Sequence, residues 1–302
     1  MKLDCVLTAV NDNPLYIEFI PIFIKTWNKL YPGVDVKIIL ISKKIPDEYM
    51  LYKDNIILFE PIDNVLTSFT SQLIRLLYPC ILNYENGVMI TDMDILPMNK
   101  TYYTEYIKDI DNSKFIYYRG DICGEDKQLA MCYNVCTPNV WKDIFNIHSV
   151  EDIKILIKSI SDNNIIREGH GNIGWDIDQR FLYLRVMEWK NNPNDVVFLF
   201  DKDTKYCRLS RHDFTMSKIN NVIINNMVFL VDGINATKLV DGINATKLVD
   251  GINATKLVDG INAAKKDIKN AISEGYFSDY HCYRPMSMYY DINNEIYNLL
   301  PD

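Results

Sequence analysis

Residues 87–99 read GVMITDMDILPMN: an apolar run, two aspartates one residue apart, and a second apolar run. The first five residues carry no charge and include the β-branched Val88, Ile90 and Thr91, the composition of a buried strand. That strand runs straight into Asp92. In an extended chain alternate side chains share a face, so Asp92 and Asp94 are expected to point the same way. Two carboxylates at the end of a buried strand suit a hard divalent cation such as Mg2+ or Mn2+. A cation held there would neutralise a diphosphate and stabilise it as a leaving group. Two acids in an ordinary surface turn would not need Ile95, Leu96 and Pro97 on their far side.

Outward from this stretch, the first half of the chain alternates between the two regular periods. Residues 2–10, 34–42 and 55–59 are short apolar runs rich in β-branched residues and read as strands. Residues 15–30 carry apolar side chains at helical spacing, with Pro14 suited to the first turn. Residues 68–84 read as a helix that Pro79 ends or kinks. Strands separated by helices imply an α/β protein with a mainly parallel sheet covered on both faces. Ligands of such sheets sit beyond the carboxyl ends of the strands, where residues 10–13 and 92–94 fall. Further on, residues 114–119, 130–137 and 196–200 read as strands and residues 139–145, 150–161 and 178–190 as helices. Residues 168–174 (EGHGNIG) form a glycine-rich loop.

The 302 residues, 48% hydrophobic and 24% charged, suffice for a large buried core and argue against global disorder. A formal net charge of −8 offers no general attraction to nucleic acid or anionic lipid, so a phosphate-bearing ligand needs a local cation. Asp4 interrupts the first apolar stretch, so no signal peptide is expected, and no run is long enough for a transmembrane helix. A cytoplasmic location is the expectation, and Asn99, Asn235, Asn244 and Asn253 in their sequons are then not expected to meet glycosylation machinery. Seven scattered cysteines, with no CxxC pair, are expected to be free, mostly buried thiols. The nonapeptide LVDGINATK begins at Leu230, Leu239 and Leu248, and a variant copy at Leu257 ends in Ala264 and Lys265. Nine residues return neither a helix nor a strand to the same face, so the array is expected to be a surface insertion.

The segment GVMITDMDILPMN resembles the DxD region of GT-A glycosyltransferases, including those of large DNA viruses, and other segments resemble family 8 of these enzymes in the same order. Thr8, Ala9, Val10, Asn11 and Asp12 look like the first-strand loop that holds the nucleoside. Arg75, in SQLIRLLYP, takes the place of an arginine that approaches the nucleotide-sugar. Asn134, in AMCYNV, matches an asparagine near the donor sugar. Asp178 and Gln179, in DIDQRF, match an Asp-Gln motif near the reacting carbon. In YHCYRP, His281 matches a third metal ligand beside Asp92 and Asp94, and Arg284 stands where the family has a phosphate-binding lysine. The chain departs from the pattern where Val135 replaces a glycine and Met286 a tryptophan.

The resemblance implies a GT-A fold, a Rossmann-like nucleotide-binding sheet in one large domain. Residues 1–229 would form the catalytic core, 230–265 the repeat insertion, and 266–302 a segment completing the metal and donor site. It implies Mn2+ or Mg2+ as cofactor, a UDP-sugar as donor, a glycan, protein or small-molecule hydroxyl as acceptor, and retention at the anomeric carbon. His170, Asp121 and Glu125 are candidates for the acceptor side, and a viral chain of this kind would work in the host cytoplasm. Two other classes share the same residues. A metal-dependent nucleotidyltransferase or phosphohydrolase would want a further carboxylate at the same sheet edge. A non-catalytic protein on a decayed transferase fold would use the repeats for contacts.

Overall fold

The computed structural model describes residues 1–120, 127–169, 171–204, 206–211 and 269–302. The repeat segment 230–265 and three acceptor-side candidates, Asp121, Glu125 and His170, lie outside the described residues. The strands, in chain order, are β1 (Leu3–Asn11), β2 (Asp35–Ile41), β3 (Ile56–Phe59), β4 (Gly87–Ile90), β5 (Ile95–Pro97), β6 (Phe115–Tyr117), β7 (Asn134–Cys136), β8 (Val196–Phe198), β9 (Cys207–Ser210) and β10 (Phe277–His281). Seven of them form one sheet in the order β3-β2-β1-β4-β7-β6-β8. β3, β2, β1 and β4 run parallel; β7 is antiparallel to both β4 and β6, and β8 is parallel to β6. The architecture is the expected α/β one, a mostly parallel mixed sheet flanked by helices.

Both faces of β1 are buried, which is why residues 2–10 show no apolar–polar alternation. Val6 and Val10 pack into one core with Phe23 and Trp27, while Cys5 and Leu7 pack into the other with Leu73 and Leu77. The helices that supply these layers are α1 (Pro14–Ile17), α2 (Ile20–Leu30), α3 (Thr67–Leu77), α4 (Tyr102–Glu105), α5 (Pro138–Phe145), α6 (Val150–Asp162), α7 (Ile177–Trp189) and α8 (Tyr290–Leu299).

Three expected elements are corrected. The single helix over 15–30 is two, α1 and α2. Pro21 offers no N–H to the Ile17 carbonyl and its ring would crowd that carbonyl, so the chain restarts with proline in the first turn of α2. The helix over 68–84 stops at Leu77, two residues before Pro79, and a short 3-10 turn over Tyr78–Ile81 follows. The strand over 130–137 shortens to Asn134–Cys136. Residues 130–133 turn instead, Tyr133 has φ 66°, and the Asn134 side-chain amide donates to the carbonyl oxygens of Ala130 and Met131.

A second sheet, β5-β10-β9, is not among the strands expected from the sequence. β10 pairs antiparallel with β5, matching His281 to Ile95, and parallel with β9, matching His281 to Ser210. The chain after the aspartates and the chain near the C-terminus are thereby joined beside the end of β4. Residues 269–273 are helical and Gly275, at φ 68°, lets the chain turn into β10. Among the described residues no helix is long and apolar enough to cross a membrane. Five of the cysteines, Cys5, Cys80, Cys132, Cys136 and Cys282, are free and buried, and burial pushes the thiols of Cys5 and Cys80 up to about 12.

Candidate active site

β4 ends at Ile90, and residues 93–94 form a turn closed by the Ile95 N–H, which donates to the Asp92 carbonyl oxygen at 3.3 Å. Strand alternation does not govern a turn. Asp92 and Asp94 are each met by a different set of cations.

Asp92 belongs to a cluster built by α3 and α7. Arg75, near the end of α3 and 9% exposed, donates from Nη1 to Asp92 Oδ1 and from Nη2 to Asp178 Oδ2 at 3.1 Å. Its Nη1 also reaches the Thr91 carbonyl oxygen at 3.4 Å, and Nε reaches that of Gln72 at 3.3 Å. Asp178 stands in the first turn of α7, where exposed N–H groups favour a carboxylate; its Oδ1 accepts from the Gln179 N–H at 2.8 Å. Burial pushes the Asp178 carboxyl up to about 6, with Arg75 opposing and Asp92 adding to the rise. One guanidinium thus serves two carboxylates, and this side of the site is formally negative.

Asp94 is 3% exposed and belongs to a cluster of opposite sign. Arg211 Nη1 lies 2.5 Å from Asp94 Oδ2, His281 Nε2 3.2 Å, and Arg284 Nε 3.4 Å. Burial alone would raise the Asp94 carboxyl, but the hydrogen bond and charge of His281, with Arg284 and Arg211, hold it well below the usual carboxylate range. β10 delivers His281, and the Cys282 N–H donates to the Asp94 carbonyl oxygen at 2.8 Å. Arg284 is set by Tyr16, whose ring lies 4.8 Å from the guanidinium carbon and whose hydroxyl it also bonds.

The remaining expected residues line the sheet edge between and behind these clusters. Asn11 Nδ2 donates to Thr67 Oγ1 at 3.1 Å. Thr8, Thr91 and Asn134 are fully buried, and Thr8 Oγ1, Thr91 Oγ1 and Asn134 Oδ1 have no hydrogen-bond partner among the described residues. Thr91 follows Ile90, which sits opposite Leu7 in the β1–β4 register, and its N–H donates to the Leu7 carbonyl oxygen at 3.1 Å, so Thr8 and Thr91 are neighbours. Ala9 and Val10 continue β1 toward the same edge, Val10 packed into the core. Gln179 is half-buried, and its carbonyl oxygen accepts from the Leu129 N–H at 3.2 Å.

Sequence reasoning missed Arg211, which no motif marked, and a second ionic layer beside the site. There Arg208 Nε lies 2.8 Å from Asp279 Oδ1, with Asp279 1% exposed, and Arg119 Nε lies 3.7 Å from Asp201 Oδ2. These pairs join residues far apart in the chain, so local patterning carries no trace of them.

For a divalent cation, the donor set is one of the right chemistry: carboxylate oxygens and an imidazole nitrogen suit Mn2+. Asp94 and His281 already meet, whereas no group of three potential ligands is assembled among the described residues. Asp94 and His281 fit an ion whose remaining positions a ligand's oxygens or water would fill.

No protein-family model matches the chain, and no curated protein matches it. Among solved structures, it is similar to the glycosyltransferase GlyE of Streptococcus pneumoniae TIGR4, with 16% identity and a TM-score of 0.42 over 68% of this chain and 47% of GlyE. It is also similar to the galactosyltransferase LgtC, solved with donor and acceptor sugar analogues, with 10% identity and a TM-score of 0.41 over 69% of this chain and 76% of LgtC. The chain spans about half the length of the GlyE structure. The likeness is partial, and no residue's role is taken from it.

Proposed function

We propose that this chain is a metal-dependent glycosyltransferase of the GT-A type, moving a hexose from a nucleotide-diphosphate sugar, with UDP as the nucleotide, to a hydroxyl acceptor. The observation that carries the reading is the separation of charge at the sheet edge. Arg211, Arg284 and His281 surround the single carboxylate Asp94, while Asp92 and Asp178 share the single guanidinium of Arg75. A glycosyl donor develops the same separation when its anomeric bond breaks: negative charge grows on the diphosphate and positive charge on the sugar.

Each group then has a task. Thr8, Ala9, Val10 and Asn11 lie where the nucleoside would rest, at the carboxyl end of β1. Asp94 and His281 would hold Mn2+ or Mg2+, with Asp92 supporting the ion or the ribose; when bound, that ion supplies Lewis-acid stabilisation of the leaving diphosphate. Arg284 faces the phosphates. Arg75 fixes the direction of both Asp92 and Asp178 and needs no reorganisation as charge develops. Asp178 and Gln179 steady the sugar, and Asn134, with a buried carbonyl oxygen still to be satisfied, offers an acceptor to a sugar hydroxyl. Retention of anomeric configuration is the outcome that the family resemblance implies.

The test is UDP release from UDP-hexoses with added Mn2+. Asp94→Ala is expected to lower the rate by about 100-fold or more. Release by that variant at the wild-type rate removes Asp94 from the mechanism. A thermal-shift screen of UDP with and without Mn2+ checks the same seat independently of the acceptor, because a ligand of the folded state raises the melting temperature.

A further inference from the structure

Arg211 has no task in the reading above, and its position calls for one. Its Nη1 lies 2.5 Å from Asp94 Oδ2 and 3.1 Å from the Cys282 carbonyl oxygen, and its side chain is 12% exposed. Three nitrogen groups, from Arg211, His281 and Arg284, converge on that one carboxylate oxygen, which has about two lone-pair directions to offer. A dication bound by Asp94 and His281 would need that oxygen and the ring nitrogen beside it. It would also repel a guanidinium left in contact with the same atom. The two arginines are not equivalent in this respect. Arg284 is the more distant and has a second anchorage on the ring and hydroxyl of Tyr16. Arg211 is the nearer, and its other bond shown here is to a backbone carbonyl.

A guanidinium displaced from a carboxylate in so enclosed a place needs another anion. The donor read above brings one, the diphosphate, to the same spot. We propose that Arg211 is a diphosphate-binding residue that also serves as the resident counter-ion of Asp94: it satisfies the carboxylate in the empty protein, gives way to the divalent cation, and transfers to the phosphates of the donor. The inference rests on the proposed donor and adds to it a residue that links metal entry to donor binding. Arg suits this double role, since its planar fork matches carboxylate and phosphate oxygens alike.

The experiment uses the full chain and two probes: Mn2+ alone, followed by its electron paramagnetic resonance signal, and UDP at saturating Mn2+, followed by calorimetry. Arg211→Gln is expected to bind Mn2+ about tenfold more tightly and UDP about tenfold more weakly, the scale of one charge-assisted hydrogen bond lost in each case. Opposite shifts from one substitution are something that loss of structure does not produce. Unchanged affinities, or two affinities that fall together, overturn the inference. Should the Gln variant fail to fold, Arg211→Lys decides: UDP binding weakened with Mn2+ binding no weaker than wild type supports the exchange, and UDP binding at wild-type strength overturns it. Wild-type protein that binds neither Mn2+ nor UDP overturns the donor reading and this inference with it. Wild-type protein that binds both, beside an Arg211→Gln variant that does the same, overturns the role of Arg211 alone.

Discussion

Asp178 sits inside the protein against Arg75, and burial pushes its carboxyl up to about 6 from an ordinary value of 3.8. The folded state therefore holds this proton more tightly than the unfolded chain does. Its contribution to stability is greatest below pH 4 and is lost as the pH rises through 6. The two values differ by an amount worth about 3 kcal/mol. Urea unfolding of wild-type and Asp178→Asn protein between pH 4 and 7 should show the variant gaining on the wild type across that window; parallel curves would show that Asp178 titrates normally. Arg75→Met leaves Asp92 and Asp178 without their shared cation, and a cost of about 3 kcal/mol or more in unfolding free energy is expected. At this scale the sequence was informative where the pattern was local. β4 could be found because it is a run of consecutive apolar residues leading toward Asp92 and Asp94. Arg211 could not, because its carboxylate is 117 positions away in the chain.

Between residue and molecule, the elements explain why the site is where it is. β4 is short and uncharged, and it lies between β1 and β7 in the sheet. Gly87 opens it at a place where a side chain has no room. A Cβ there would lie 2.8 Å from Val135 Cγ2, 2.9 Å from the Met1 sulfur and 3.0 Å from the Lys2 carbonyl oxygen. Gly87→Ala is expected to destabilise the fold by about 1–3 kcal/mol, read as a lower urea midpoint, because backbone and two neighbours must shift. The end of α3 was legible at Pro79, whereas the break at Pro21 was not: its ring acts on the carbonyl four residues earlier and so divides a helix that periodicity alone joins. β5, β9 and β10 were not legible as a sheet. Each has only three to five residues, and they acquire strand character by pairing with one another across most of the chain.

The molecule as a whole brings stretches distant in sequence together beside the end of β4. β10 brings His281 to Asp94, and β9 ends immediately before Arg211. The repeats fall in the connection between β9 and β10, outside both strands. Deleting residues 230–265 leaves 212–229 and 266–276 to carry the crossover, enough chain for a parallel connection. Donor hydrolysis with Mn2+ is therefore expected to stay within about twofold of wild type, a change of well under 1 kcal/mol, and its loss would show that the repeats take part in the site. The sequence by itself determined the α/β class and the buried strand that leads toward the aspartates, since strand burial is written in consecutive residues. Only the tertiary structure decided which cation meets which carboxylate. Asp92 and Asp94, two positions apart, meet Arg75 on the one hand and Arg211, His281 and Arg284 on the other, because an electrostatic partner is chosen by distance in space.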